Sequence, residues 1–267
     1  MYNFDEYLKQ GEPNQVEKAK IWKTAIGLQQ VDNLKPSDYL IDTAKENIEG
    51  TITIVQVKER IENYYQHKST KADDRTEEAD KVSARITEVL SEQTFRFSPL
   101  EYVSIHRRLF QGINEFAGQI RDYNISKKEW VLNGESVLYA SAHNLKETLE
   151  YDFEQEKKFS YQNLNQQEII EHIAHFISDL WQIHIFGEGN TRATAVFLIK
   201  YLQKLGFKNV NNDLFAKNSW YFCNSLVRAN YENLTKDIFK TEKYLIRFLS
   251  NLILNKNHEL KNREMKV

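Results

Sequence analysis

The scarcity of helix-breaking residues constrains this chain more than any other feature of its sequence. Its 267 residues include only three prolines and nine glycines. Proline interrupts helices and strands, and glycine marks turns, so a chain with few of both favours long helices over a many-turned β protein. Apolar residues recur at helical spacing in most of the chain. We therefore predict an all-α fold, with helices at 14–31, 37–48, 98–113, 143–158, 166–182, 190–205, 220–231 and 243–254.

The bulk composition excludes several classes of function. A net charge of -2 gives no reason to expect nucleic acid or an anionic membrane as partner. No apolar run approaches the roughly 20 residues that cross a bilayer, and the N-terminus lacks the apolar region of a signal peptide. The single cysteine, Cys223, excludes an internal disulfide and suits a reducing compartment. We expect a cytoplasmic protein in which Cys223 is an inert buried thiol.

Three segments depart from the helical pattern. Residues 51–57 alternate as a strand would, or lead into the following helix. Residues 66–81 are charged without apolar partners, which predicts an exposed loop or helix end. Within Trp130–Tyr139, two short apolar stretches flank Asn133 and Gly134, the strongest short signal for a β-hairpin.

A short loop with two glycines carries the clearest chemical signal. Gly187 and Gly189 open onto a predicted helix, whose first turn has unpaired N–H groups that attract a phosphate. Arg192 can grip that phosphate, and Glu188 offers the single carboxylate that Mg²⁺ needs beside phosphates. His184 can remove a proton from an attacking hydroxyl. Together these groups predict phosphoryl transfer to a hydroxyl.

Each group alone has a structural interpretation. A glycine pair before a helix is most often a helix cap and turn, and an isolated histidine near a helix end is more often structural than catalytic. Glu188 alone would be a solvated carboxylate and Arg192 a surface ion-pair partner. Their combination between His184 and Arg192 favours the functional interpretation.

The loop resembles the signature of the Fic (filamentation induced by cAMP) family, H-x-F-x-D/E-G-N-G-R-x-x-R. Thr191 and Ala195 stand where the signature has glycine and a second arginine. The resemblance implies a Fic-fold helical core at 96–205 with a β-hairpin flap, an N-terminal helical region at 1–95 and C-terminal helices at 206–267. The matching positions are His184, Phe186, Glu188, Gly189, Asn190 and Arg192.

The resemblance also implies roles for individual residues. His184 would be the base, Phe186 would anchor the loop, and Glu188 would hold Mg²⁺. The flap would dock the target through Val131, Leu132, Val137 and Leu138. ATP would contact Gly187, Glu188, Gly189, Asn190, Thr191 and Arg192, with Tyr221, Phe222 and Asn230 near adenine and ribose. For Trp220, Tyr221, Phe222 and Phe239 as a group, packing in the core is a stronger interpretation than a base-stacking platform.

A second resemblance concerns regulation. Many Fic proteins carry an inhibitory helix with the pattern S/T-x-x-x-E-G/N, which Lys45 to Gly50 resembles except that lysine replaces Ser or Thr. In the family the glutamate pairs with the second arginine, here Ala195. We therefore expect Glu49 to restrain the site weakly, with a plain helix end as the alternative. Ala195 should also weaken ATP binding without abolishing the chemistry.

The resulting prediction is a protein adenylyltransferase that uses Mg²⁺ to transfer AMP from ATP to a protein hydroxyl, its own included. One alternative is a nucleotide-binding regulatory module without turnover, and another is a transferase for UTP, GTP or a phosphocholine conjugate. The target protein and the oligomeric state stay open, a homo-oligomer included. His172 and His175 could pair as metal ligands, although an outward-facing structural role is the stronger interpretation.

Overall fold

The computed structural model describes residues 4–67, 75–207 and 210–267, and these residues form helices without a β-strand. The prediction of an all-α fold is thus confirmed. Short 3₁₀ turns connect several of the helices. The α-helices are α1 (Asp5–Gln10), α2 (Pro13–Gly27), α3 (Asp38–Glu49), α4 (Ile54–Gln66), α5 (Thr76–Ser91), α6 (Pro99–Phe110), α7 (Leu145–Lys158), α8 (Gln166–Ile183), α9 (Asn190–Lys204), α10 (Asp213–Asn230) and α11 (Lys243–Leu254).

Helix starts follow the capping chemistry of the sequence. The Ser98 hydroxyl accepts the backbone N–H of Glu101 at 3.1 Å, and Pro99 is the first residue of α6. Thr53 caps α4 in the same way through Gln56. Of the two readings of 51–57, the lead into a helix is therefore the correct one.

Helix α9 is the centre of the molecule. Its residues from Asn190 to Leu202 are all buried, as expected of a helix surrounded by others. Helices α5, α6 and α8 pack around α9. A 3₁₀ turn at Leu28–Asp32, which follows α2, also contacts α9. A second apolar cluster holds α1 to α4 together. The loop between α8 and α9 leads into the helix that contacts both the main core and the turn after α2.

The predicted β-hairpin at 130–139 is wrong. Trp130–Leu132 forms a 3₁₀ turn, followed by Asn133 and Gly134 at φ +52° and +90°. Positive φ at both positions is what this dipeptide favours in a tight turn. Strand pairing fails because neighbouring residues of a strand face opposite sides, whereas Val131 and Leu132 are both fully buried. The segment is a folded turn that closes over the core.

Two further predictions from charge and apolar patterns need correction. Residues 68–74 of the predicted loop at 66–81 lie outside the described residues, but 76–81 begin α5, where Asp80 and Lys81 are buried. Trp220 and Phe239 are not core residues, since 41% and 57% of their surfaces are exposed. None of the helices in the described part of the chain is both long and apolar enough to cross a membrane.

Candidate active site

The loop between α8 and α9 is closed by one side chain. The Asn190 carboxamide accepts the backbone N–H of Phe186 at 3.1 Å and donates to the Phe186 carbonyl at 2.7 Å. The Phe186 ring is fully buried and stacks on His106 with 3.6 Å between centroids. Asn190 and Phe186 therefore contribute to the shape of the loop and not to its chemistry.

His184 ends α8 in the left-handed conformation, at φ +51° and ψ +54°. Its Nδ1 lies 3.3 Å from the Trp181 carbonyl oxygen, which only accepts, so Nδ1 carries the proton and Nε2 has the lone pair. Nε2 is buried without a hydrogen-bond partner, and the Tyr139 ring lies 4.1 Å from the imidazole. Burial holds the His184 pKa well below its usual range. The imidazole is therefore neutral, and Nε2 has the lone pair that a general base uses.

Arg121 fixes the backbone on both sides of His184. Its Nε donates to the His184 carbonyl at 2.7 Å, its backbone N–H donates to the Ile185 carbonyl at 2.9 Å, and Nη2 donates to Ala140. Arg121 is 5% exposed, and the hydrogen-bond partners of its guanidinium are all carbonyl groups. Its charge also helps to lower the His184 pKa, after the larger effects of burial and of the Lys127 charge. Sequence patterns could not reveal this role, because the partners are backbone atoms.

The N-terminus of α9 has no side-chain cap that would compete with an anion. Gly189 is its N-cap residue, at φ +75°, and no side chain caps the helix. The first-turn N–H groups of such a helix lack internal partners and lie at its positive end. The Thr191 hydroxyl accepts from the Trp181 indole at 2.9 Å and lies 3.7 Å from the Cys223 sulfur, so the core holds it. Burial raises the Cys223 pKa to about 12, which keeps the thiol protonated.

The backbone conformation and the space around it both require glycine at position 189. A β-carbon here would lie 2.5 Å from the Phe110 ring, in a backbone conformation that already disfavours other residues. We expect Gly189→Ala to cost about 1–3 kcal/mol more in unfolding free energy than Gly112→Ala, because overpacking adds to the left-handed penalty. Gly112 has a similar φ of +72° with open space around it. Urea denaturation measures both variants, and equal losses would contradict the packing argument.

Arg192 is buried against residues that the sequence did not single out. Its Nε lies 2.8 Å from the Asp32 carboxylate, while Nη1 and Nη2 donate to Gln29 at 2.9 Å and to Glu78 at 2.7 Å. The side chain is 1% exposed. Burial acts to raise the Glu78 pKa, but the bonds from Arg75 and Arg192 outweigh it and lower the pKa. In this structure the guanidinium is thus occupied by protein groups from the turn after α2 and from α5.

Glu188 suits the metal that the family resemblance implies. Its side chain is 69% exposed, with the Arg75 Nη2 at 3.7 Å. The described residues contain no group of three acidic, histidine or cysteine side chains placed for a metal ion. Mg²⁺ commonly takes one or two carboxylates, with phosphate and water oxygens completing its shell. Glu188 is therefore the residue that would hold Mg²⁺ beside a bound nucleotide.

Several residues expected at the nucleotide have contacts elsewhere. The Tyr221 and Phe222 rings pack against Phe248 of α11. The Asn230 amide donates to the Ser178 carbonyl and hydroxyl, which ties α10 to α8. None of the described contacts joins these three side chains to the loop. The residue of α10 that does contact the loop is Cys223, through Thr191.

The flap and inhibitory residues are also placed by the structure. Val131, Leu132 and Val137 are buried, whereas Leu138 is 83% exposed and available to a partner. The Glu49 carboxylate accepts a hydrogen bond from the Tyr7 hydroxyl of α1, and the described contacts do not connect it to the loop. The carboxylates that do reach a motif arginine belong to Asp32 and Glu78. Local sequence patterns could not reveal them, because the contacts are long-range.

The histidines of α8 are paired with carboxylates. His172 Nε2 lies 2.6 Å from Glu156, and His175 lies between Asp179 and Glu242. These pairs favour the structural interpretation of both histidines over a shared metal.

Buried neutral histidines predict a stability that falls with acidity. Burial lowers the His184 pKa well below its usual range and the His106 pKa to about 4. The unfolded chain binds these protons near pH 6.5, so below that pH the unfolded state gains protons that the folded state excludes. We expect the unfolding free energy to fall by up to about 1.4 kcal/mol per pH unit for each histidine.

Urea denaturation between pH 7.5 and 5.5 checks this expectation. His184→Asn should lower the pH dependence relative to wild type, because one of the two histidines is gone. Other groups, such as Asp152 with a pKa raised by burial to about 6, act equally in both proteins and cancel in the difference. Identical pH slopes in the two proteins would show that His184 is not a buried neutral group.

A comparison with known protein families matches the segment that contains the loop. Residues 96–202 match the model of the Fic/DOC family. The matched range contains α6, α8, the loop and most of α9, and therefore both His184 and Arg192. The match supports the family membership that the loop motif predicted, without deciding a subclass. Members of this family commonly transfer nucleotide- or phosphate-containing groups to proteins.

Proposed function

We propose that this protein is an adenylyltransferase that moves AMP from ATP to a protein hydroxyl. One observation supports it most: a neutral His184 with an unpaired Nε2 and the uncapped N-terminus of α9 belong to one closed loop. The first can accept a proton and the second can bind phosphate oxygens. Transfer to a hydroxyl needs both groups close together.

The proposed step joins two substrates, ATP and the target hydroxyl, at the loop. The target oxygen attacks the α-phosphorus, and its proton passes to His184 Nε2. The bond between the α-phosphorus and its bridging oxygen breaks, and pyrophosphate leaves with the electron pair. The N–H groups at the start of α9 stabilise the charge on the phosphate oxygens. Mg²⁺ held by Glu188 would offset part of the phosphate charge.

The ion pairs of Arg192 would restrain nucleotide binding. Binding of the β-phosphate requires the guanidinium to exchange Asp32 or Glu78 for phosphate oxygens, because both carboxylates now occupy it. Such an exchange costs free energy, since the pairs are buried. We therefore regard the described conformation as a restrained state in which Asp32 and Glu78 take the role that the sequence suggested for Glu49.

The same contact favours one alternative function. If the carboxylates never release Arg192, the protein binds a nucleotide weakly and does not turn it over, as a regulatory module would. Tyr221, Phe222 and Asn230, which the resemblance assigned to adenine and ribose, have contacts elsewhere, so the donor nucleotide is also open to experiment.

Intact-mass spectrometry after incubation with Mg²⁺ and each of ATP, GTP, UTP and CDP-choline tests the proposal. We expect a mass increase equal to one AMP with ATP, strongest for Asp32→Ala. A different added group would identify another donor. If neither wild type nor Asp32→Ala gains mass while calorimetry still detects ATP binding, the regulatory module is correct and the transferase proposal is wrong.

A further inference from the structure

We propose that His106 is a positioning residue, which aims the peptide between Glu188 and Gly189 for ligand binding. Its Nε2 lies 2.9 Å from the Glu188 carbonyl oxygen, and its Nδ1 lies 2.9 Å from the Gly118 backbone nitrogen. The ring is 1% exposed and stacked on Phe186. Both ring nitrogens are therefore used, one on the loop and one on the turn after α6.

These partners determine the tautomer. The Gly118 N–H can only donate, so Nδ1 must be the acceptor, and the Glu188 carbonyl can only accept, so Nε2 must carry the proton. A charged imidazolium would lose the bond from Gly118. The two hydrogen bonds therefore require the neutral ring with its proton on Nε2.

One face of α6 supports the whole loop. Tyr102, His106 and Phe110 are spaced four residues apart, so they lie on the same side of the helix. The Tyr102 hydroxyl lies 2.8 Å from the Thr194 hydroxyl of α9, and the Phe110 ring fills the space beside Gly189. His106 lies between them and makes the hydrogen bond to the loop backbone. Three successive turns of α6 thus hold the loop and the first turns of α9.

The bond from His106 has a directional consequence. A trans peptide is planar, and its carbonyl and N–H point in opposite directions. Because the Glu188 carbonyl points towards His106, the Gly189 N–H points away from α6. This direction leaves it available to a phosphate, and the same peptide fixes the origin of the Glu188 side chain. Loss of the bond would let the peptide rotate and misplace both groups.

Two substitutions separate this role from general packing. His106→Gln places an amide N–H near the position of Nε2 and keeps the bond to Glu188. His106→Asn places an oxygen near Nδ1, keeps the bond from Gly118 and loses the one to Glu188. Each variant loses one hydrogen bond, so we expect similar melting temperatures.

The first readout is hydrogen exchange of the loop amides without nucleotide. We expect faster exchange at 187–190 in His106→Asn, with His106→Gln close to wild type. The second readout is calorimetric binding of Mn²⁺ with α,β-methylene-ATP, which we expect to weaken about 10- to 100-fold in the Asn variant alone. Equal behaviour of the two variants in both readouts would overturn the proposal.

The wild-type protein supplies a test that needs no variant. Long-range ¹H–¹⁵N NMR correlations of the His106 ring should show the proton on Nε2, and a proton on Nδ1 would overturn the proposal. The interpretation of the binding result rests on the proposed function. The exchange and tautomer measurements do not, so they decide the positioning role even if no nucleotide is transferred.

Discussion

Replacing His184 with asparagine is expected to lower the rate of AMP transfer about 100- to 10,000-fold, the usual loss when a general base is removed. Asparagine is a better replacement than alanine because it tolerates the left-handed backbone conformation of His184, at φ +51°. Its side chain cannot take a proton at neutral pH. The backbone of the loop should therefore stay in place while the base is lost.

The measurement is the initial rate of label transfer from ATP, together with ATP affinity by calorimetry. Affinity should stay within about threefold of wild type, because the anion site at α9 is intact. His175→Asn is the matched control, since His175 lies on the same helix with an exposed side chain. A His184→Asn variant that keeps its transfer rate would remove the base from the mechanism.

Asp32→Ala should act in the opposite direction and raise transfer about 10- to 100-fold. A hydrogen bond or ion pair to a charged group contributes about 1.5–3 kcal/mol, and each 1.4 kcal/mol is a factor of ten. Without Asp32, the Nε of Arg192 can meet a phosphate while Nη2 keeps its pair with Glu78. Asp32 is preferred over Glu78 as the site of change because its side chain is 32% exposed against 12%.

This variant should also be less stable than wild type, because a buried guanidinium loses one of its partners. A gain in activity with a loss in melting temperature is what a released restraint predicts. Glu49→Ala is the control, since it removes a similar carboxylate that is bonded to Tyr7 instead. If Glu49→Ala raises activity as much as Asp32→Ala does, the restraint does not act through Arg192.

The features that the sequence predicted correctly depend on neighbours along the chain. The helix start predicted at residue 98 needs only the next turn of helix, and the turn at Asn133 and Gly134 needs only their own backbone preferences. The strands around that turn failed because strand pairing depends on which faces are buried. Burial is set by the whole fold, which packs Val131 and its neighbour inward together.

The parts of the site that escaped prediction depend on distant segments. Asp32 and Glu78 meet Arg192 across more than a hundred residues of sequence, and no local pattern marks such a contact. His106 and Arg121 were missed for another reason, because their partners are backbone carbonyl and N–H groups. A backbone partner has no residue type, so the sequence contains no pair to recognise.

The Tyr139 ring beside His184 has a consequence for the fate of ATP. With the imidazole 2% exposed behind this ring, bulk water has no access to Nε2. A base that water cannot reach does not activate water, so a nucleotide in the loop is protected from hydrolysis. We expect Nε2 to become accessible only when an incoming protein segment displaces Tyr139. Arrival of a target segment, from another protein or from a second copy of this chain, would then start the chemistry.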